Sequence, residues 1–326
     1  MKASKPTETG GGDAQNARIS GRILPRFCVN IGRPEATLIF VTILWGGTFL
    51  VVQNALSASG AFFFVGVRFS AAAAMLALLS WRQLGGFTLA EVRAGAAVGV
   101  AMVLGYTLQT IGLETILSSK SAFLTALYVP IVPLLQWIVL RKAPHLAAWT
   151  GIGLAFAGLV LLTGPAGASF DFSKGDIVTV LCAVAFAGEI ILIGTFAGSV
   201  NARRVTIAQL GVAAALAFGA MPLVGEAVPP FSWLLALTAL GMGLASAIIQ
   251  YAMNWAQRSV SPTRATIIYA GEPVWAGLFG RLAGEVLTPR AIAGAGLIVL
   301  AVLISELRFR TGIGRAADIA PDAEQP

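Results

Sequence analysis

Long apolar runs separated by short polar or basic gaps fill almost the whole chain. They fall at approximately 36–54, 61–80, 92–113, 119–139, 146–163, 176–196, 205–224, 232–254, 263–281 and 289–306. A helix of about 20 residues crosses the hydrocarbon of a bilayer, and each run has about that length. The pattern predicts an all-α integral membrane protein with ten transmembrane helices. Residues 1–33 are polar, glycine-containing and basic, and no apolar stretch arrives before about residue 36. A cleavable signal peptide would place one near the start, so this segment reads as a disordered basic cytosolic tail. Residues 309–326 read as a second cytosolic tail.

Lysine and arginine set the expected orientation, because they gather in cytosolic loops. With the N-terminus inside, the expected cytosolic set is Lys2, Lys5, Arg18, Arg22, Arg26 and Arg33, then Arg82, Arg93, Arg141, Lys142, Arg203 and Arg204. Arg281, Arg290, Arg308, Arg310 and Arg315 complete its 17 members, against four outside: Lys120, Lys174, Arg258 and Arg264. Arg68 falls within a span. Both termini are then cytosolic.

The chain also carries a weak internal duplication. A shift of 143 residues places Ser118 on Ser261, Ala122 on Ala265, Pro130 on Pro273, Gly151 on Gly294 and Gly153 on Gly296. Nearer the front of each half the shift is 141, which brings Trp45-Gly46-Gly47-Thr48 onto Phe186-Ala187-Gly188-Glu189 and Arg68 onto Gln209. Each half holds five helices, so the second enters the membrane inverted relative to the first. Inverted halves can exchange conformations and open a central site to either side in turn. The expected division is 34–165 for the first repeat and 174–308 for the second.

Composition narrows the chemistry. The chain is 57% hydrophobic and 11% charged, with a mean hydropathy of +0.82. Soluble domains are about 25% charged, so an ordinary cytosolic enzyme is excluded. Cys28 and Cys182 lie far apart and His145 is the single histidine, so no disulfide framework and no metal, iron or haem ligand set is present. No cofactor is expected. The net charge of +7 sits in gaps between spans, which argues orientation rather than nucleic acid. Gly151-x-Gly153 and Gly241-x-Gly243 lie within apolar runs and follow no strand, so they are not nucleotide signatures. Gly95 to Gly99 and Gly280 to Gly284 have small-xxx-small spacing and permit close helix contact.

Several short motifs recur in order across both halves: Leu44-Trp45-Gly46 in the first helix, Arg68-Phe69 in an alanine-rich second, and Ser118 to Pro133 in the fourth. Glu272-Pro273-Val274 in the ninth and Gly284-Glu285 before a glycine-rich tenth complete the set. In these the chain resembles the ten-helix, two-domain EamA-like members of the drug/metabolite transporter superfamily, over residues 36–306. The resemblance implies two inverted five-helix EamA-like repeats and a central cavity. It also implies a bacterial inner-membrane carrier that exports amino acids, metabolites or toxic compounds. Two departures stand out. A Gly-Glu pair after the fourth helix is replaced by Arg141-Lys142, and a commonly neutral sixth-helix position holds Glu189.

Charges in a span cost about 2.5–3.5 kcal/mol on insertion scales and usually face a cavity or a partner. Glu272, Glu189 and Arg68 are the candidate substrate-binding or proton-coupling residues. The alternative is a purely structural salt bridge between Arg68 and a glutamate. Ser121, Thr125, Tyr128 and Gln136 share one face of the fourth helix, as do Ser246, Gln250 and Asn254, with Gln257, in the eighth. Tyr106 and Gln109 are neighbours in the third. These polar stripes are expected to line a cavity, with interhelical hydrogen bonding as the plain alternative. Tyr269 and Trp275 lie three residues either side of Glu272, and an acid between aromatic rings suits an organic cation. Pro130 and Pro273 free the carbonyls of Ala126 and Tyr269 and are candidate hinges, or ordinary kinks.

The expected function is a secondary exporter working by alternating access on a small metabolite, amino acid or organic cation, with protons as a candidate coupling ion. Two other classes compete: a membrane-embedded enzyme, and a lipid flippase or scramblase of the same fold. The enzyme lacks a base, since His145 follows Pro144 at a helix end far from any buried serine. Monomer and homodimer are equally compatible with the small-residue faces.

Overall fold

Short side-chain oxygens and left-handed residues mark where the helices of this chain begin and end. The computed structural model describes residues 32–141, 146–163 and 172–305. His145, Lys142, Pro144, Cys28 and both predicted tails lie outside the described residues, apart from Gly32 and Arg33. Among the described residues the backbone forms α-helices, a short 3-10 turn at Trp81–Gly86, and no strand. The first half contains α1 (Arg33–Ala55), α2 (Ala61–Leu79), α3 (Leu89–Leu113), α4 (Ser118–Thr125), α5 (Tyr128–Leu140) and α6 (Leu146–Thr163). The second contains α7 (Lys174–Phe196), α8 (Ala202–Val224), α9 (Trp233–Ala256), α10 (Pro262–Tyr269), α11 (Glu272–Leu282) and α12 (Pro289–Ser305).

Thr88 with Glu91 and Ser173 with Asp176 form reciprocal capping boxes that start α3 and α7. Asn201 accepts from the Arg203 and Arg204 amides to start α8, and Ser261 accepts from the Arg264 amide to start α10. Among the described residues seven segments are long and apolar enough to cross a membrane: α1, α2, α3, α7, α8, α9, and α4 with α5 taken together as Ser118–Ile138. The outward faces expose Phe40, Leu104, Leu223 and Leu237, as lipid-facing helices do.

Two predicted spans are broken rods. The fourth divides into α4 and α5 at Ala126-Leu127, and the ninth into α10 and α11 at Ala270-Gly271. At the first break the Leu127 and Val129 amides reach only three residues back, to the Leu124 and Ala126 carbonyls, so the chain tightens and changes direction. The expectation that Pro130 leaves the Ala126 carbonyl free is therefore corrected, because Val129 N–H takes it at 3.0 Å. The starts of the paired pieces differ by 144 residues, one more than the shift that superposes the two prolines.

Packing follows the duplication. α3 lies against α7 and α8, while α9 lies against α1 and α2; α5 and α4 meet α7, while α11 and α10 meet α1. Exchanging the halves turns each contact into another member of the set. α2 with α8, and α6 with α12, are pairs that exchange with themselves.

The ends of the bundle correct the sorting of basic residues. Arg264 pairs with Glu35 at the start of α1 at 3.1 Å, and Arg258 donates to the Val200 carbonyl at 2.6 Å. Arg204 pairs with Glu91 at 2.7 Å, and the same carboxylate accepts from the Asn201 amide. Arg258 and Arg264 therefore belong with Arg33, Arg82 and Arg204 at what we call the basic end. Arg281 lies by Glu285, whose carboxylate reaches the start of α4 near Lys120, and Lys120 pairs with Asp176 at 2.8 Å. Arg281 thus belongs with Lys120 and Lys174 at the far end. Arg290, at the start of α12 just beyond that turn, lies at the same end, so among the described residues two arginines cross in each direction.

Candidate functional site

The two broken helices bring their cut ends together in the middle of the bundle. Tyr128, the first residue of α5, donates its hydroxyl to Glu272 Oε2 at 3.0 Å, and Glu272 is the first residue of α11. Both side chains are buried. A break at this depth releases the backbone to turn and lets a side chain at each new helix start point inward. Around this contact Trp45, Gln109, Phe186, Glu189, Ile190 and Met253 enclose a small cavity. Its free space for the centre of a water-sized sphere is about 10 Å³, room for one water molecule. The protein is closed around its own centre.

Both acids of this cavity are buried, and the three ion pairs among the described residues involve neither. Glu272 Oε2 has the Tyr128 hydroxyl, and the Gln250 side chain approaches the Glu189 carboxylate, whose Oε1 has no hydrogen-bond partner. Removing an anion from water is costly without a counter-charge or donors. Such a pair of carboxylates is suited to hold protons or a cation, walled by the rings of Trp45, Phe186 and Tyr128.

Beside the cavity runs a chain of amides. Asn254 donates to Gln209 Oε1 at 3.0 Å, Gln209 donates to Gln250 Oε1 at 2.8 Å, and Gln250 donates to the Tyr106 hydroxyl at 3.3 Å. Trp45 Nε1 donates to the same hydroxyl at 2.9 Å, so Tyr106 accepts from two sides. Gln209 also approaches the Met102 sulfur at 3.9 Å.

The alternative of a structural salt bridge between Arg68 and a glutamate is not what the structure shows among the described residues. Arg68 Nε donates to the Ser246 hydroxyl at 2.6 Å, and its guanidinium lies over the Tyr106 ring at 4.8 Å and the Phe69 ring at 5.4 Å. Ring faces and a hydroxyl replace the carboxylate, and Nη2 has no partner. Arg68 is 1% exposed and does not line the cavity.

The predicted stripes are interior, with differences. Ser121 and Thr125 are buried; Thr125 accepts from Gln109 at 3.4 Å, and Ser121 Oγ has no partner. Gln136 is only partly buried. Ser246, Gln250 and Asn254 are spent on Arg68 and the amide chain, while Gln257 donates to Tyr269 at 3.3 Å. Tyr269 and Trp275 do not flank Glu272 as expected. The break separates Tyr269 from it, and Trp275 sits against Gly46 of α1, where a Cβ on the glycine would lie 2.5 Å from the Trp275 Cβ. The aromatic walls are instead Trp45 and Phe186, which the duplication had already superposed. Gly95 and Gly99 do approach α8 closely. Gly284 lies beyond the end of α11 at φ +95, in a turn rather than a helix contact. Phe186, Ile190, Met253 and the packing role of Gln209 were not singled out from sequence. Only the repeat pairing of Phe186 with Trp45 and of Gln209 with Arg68 pointed to two of them.

The sequence profile of the EamA-like transporter family matches residues 34–164 and again 173–307. The chain is 31% identical over 280 residues to an uncharacterized transporter of Archaeoglobus fulgidus, covering 83% of this chain and 85% of the relative. It is 28% identical over 289 residues to the uncharacterized inner membrane transporter YedA of Escherichia coli K12, covering 83% and 89%. One crystal structure shares its fold with a TM-score of 0.64 at 20% identity, over 84% of this chain and 98% of the other.

Proposed function

The chain belongs to the EamA-like transporter family and is an integral membrane protein; on that premise we propose that it is a secondary carrier exporting an organic cation in exchange for protons. The observation that carries this reading is a single aromatic-walled cavity holding two buried carboxylates, neither paired with arginine or lysine among the described residues. Two anions in such a place are neutralised by protons or by a cation. If each occupant must leave before the other enters, the cation is moved against the proton. The duplication supplies the movement. The packing partners support two inverted five-helix repeats, in which each half takes the other's conformation and opens the cavity to the opposite end. In this reading the chain crosses the bacterial inner membrane ten times, with α4–α5 and α10–α11 each counting as one crossing. The basic end then faces the cytosol with both termini.

A lipid scramblase fits less well. A groove of about 540 Å³ opens between α1 and α9, lined by Leu44, Val51, Leu237 and Met242 among others. Its two hydroxyls, Thr48 and Thr238, donate to the Trp45 and Leu234 carbonyls, so a headgroup would meet no free hydrogen-bond donor from them there.

Purified protein in liposomes with an acidic lumen and a trapped pH dye tests the proposal. Organic cations, polyamines and amino acids are added outside, with Glu189→Gln and Glu272→Gln in parallel. The expected result is proton efflux triggered by the cations and lost in a glutamate variant. Labelled substrate that equilibrates with no pH response would overturn proton exchange and leave a facilitator.

A further inference from the structure

At the far end α11 stops in a tight reversal. The Glu285 amide reaches back to the Gly280 carbonyl at 2.9 Å and the Gly284 amide to Arg281 at 3.1 Å, with Gly284 at φ +95. This is the glycine-terminated helix end in which only a residue without a Cβ adopts the left-handed turn at low cost. The turn throws Glu285 onto the start of α4. Oε1 accepts from the amide of Ser118 at 3.1 Å and from its hydroxyl; Oε2 accepts from the amide of Ser119 at 3.2 Å and from its hydroxyl. One carboxylate thus takes four donors at a helix N-terminus, where its charge also meets the positive end of the dipole. Gly280 makes room: a Cβ there would lie 2.7 Å from Glu285 Oε2.

The basic end has the same elements in a different chemistry. There the left-handed residue that follows α5 is Arg141, at φ 53, and the next residue is Lys142. The 143-residue shift places this pair on Gly284-Glu285. A lysine has no acceptor and so cannot take amides at the start of α10. In its place the start of α10 has an ion pair, Arg264 with Glu35, whose arginine side chain is 50% exposed. Exposed pairs contribute little.

We propose that Glu285 is a one-sided latch: it fastens α11 to α4 at the far end, must release Ser118 and Ser119 before the cavity opens there, and has no counterpart among the described residues of the basic end. The unloaded carrier therefore rests closed toward the far end and opens preferentially toward the basic end. The proposal shares with the carrier reading only the opening of one cavity to alternate ends, and it makes no use of substrate or coupling ion.

The test needs no substrate. The full chain with Cys28→Ser retains Cys182, which is fully buried and 4.0 Å from Thr125 Oγ1 beside the cavity. A second reporter places a thiol on the cavity wall by Gln109→Cys. Reaction with a charged, membrane-impermeant methanethiosulfonate is timed separately from each face, in vesicles of known orientation. Glu285→Ala is expected to speed labelling from the far-end face by about tenfold or more, as the loss of several charge-assisted bonds implies. Labelling from the other face should not accelerate. Ser118→Ala with Ser119→Ala, which removes two hydroxyls and keeps the carboxylate, should act in the same direction by a smaller factor. Arg141→Gly with Lys142→Glu should slow labelling from the basic face. Variants are scored only if their thermal midpoint shows a folded protein, and the serine pair serves should Glu285→Ala fail that criterion. No acceleration at either thiol, or equal acceleration from both faces, would overturn the latch and leave the carrier reading standing. A failure of every cation in the pH assay would do the reverse.

Discussion

Tyr128 and Glu272 occupy the same place in two copies of one design, and they are chemically unlike. Each opens the second piece of a broken helix, and the two side chains meet at 3.0 Å. Trp45 and Phe186 are likewise paired by the duplication, and both wall the cavity. Thr48 and Glu189 are paired too, but Thr48 turns its hydroxyl back to the Trp45 carbonyl while Glu189 faces the cavity. The first half supplies ring and donor; the second supplies both acids. The duplication repeats the helix packing but not the charge, because packing recurs without requiring equal chemistry at the centre.

The inequality can be broken deliberately. Glu189→Gln should have the largest effect, weakening half-saturation for a transported cation by about a hundredfold, since Oε1 has no protein partner to compensate. Glu272→Gln should follow with a loss of tens-fold, as Tyr128 already satisfies part of that carboxylate; equal losses would erase the distinction. Gly46→Ala should lower stability by about 1–3 kcal/mol in thermal or denaturant unfolding, because its Cβ would lie 2.8 Å from the Ala276 amide nitrogen. The paired change Ala187→Gly should cost about 1 kcal/mol or less. Tyr128→Phe should weaken cation transport by less than about tenfold. Tyr128→Glu with Glu272→Tyr should restore part of that loss relative to Tyr128→Glu alone, and failure to do so would show that the two starts are not interchangeable.

The smallest effect concerns an acid of the first half at the far end. Partial desolvation by its surroundings, then the charge of Glu226, hold the exposed Glu114 carboxyl above its ordinary range. The folded protein therefore holds this proton more tightly than the unfolded chain. Its contribution to stability is complete below the unfolded value and is lost as pH rises through the folded one. Glu114→Gln should flatten that fall in thermal midpoint with rising pH, and an unchanged profile would remove Glu114 from the account.

The helical runs were legible because a bilayer imposes one length and one polarity on every crossing. The breaks at Ala126-Leu127 and Ala270-Gly271 were not, since an apolar run reads alike whether its helix is whole or cut; only the prolines three or four residues on hinted at them. The misplacement of Arg258, Arg264, Arg281 and Arg290 shows how a charge count can hide an error when two residues cross each way. The ion pair between Arg264 and Glu35 exposes it at once. Glu189 and Glu272 were legible as costly charges. The partner of Arg68 was not, because a guanidinium is as well placed over the Tyr106 ring and on the Ser246 hydroxyl as against an acid, and sequence spacing does not distinguish them. Tyr269 failed as a cavity wall for a related reason: helical spacing places it near Glu272 only while the helix is continuous.

The close approaches at glycine have a mechanical corollary. Gly46 seats α1 on α11, Gly95 and Gly99 seat α3 on α8, Gly243 seats α9 on α2, and Gly158 seats α6 on α12, each with backbone or Cβ atoms at van der Waals limits. Helices joined so tightly move as blocks. The twelve helices of the described residues then have few independent coordinates. Any change of shape would then be set by which contacts must part and in what order.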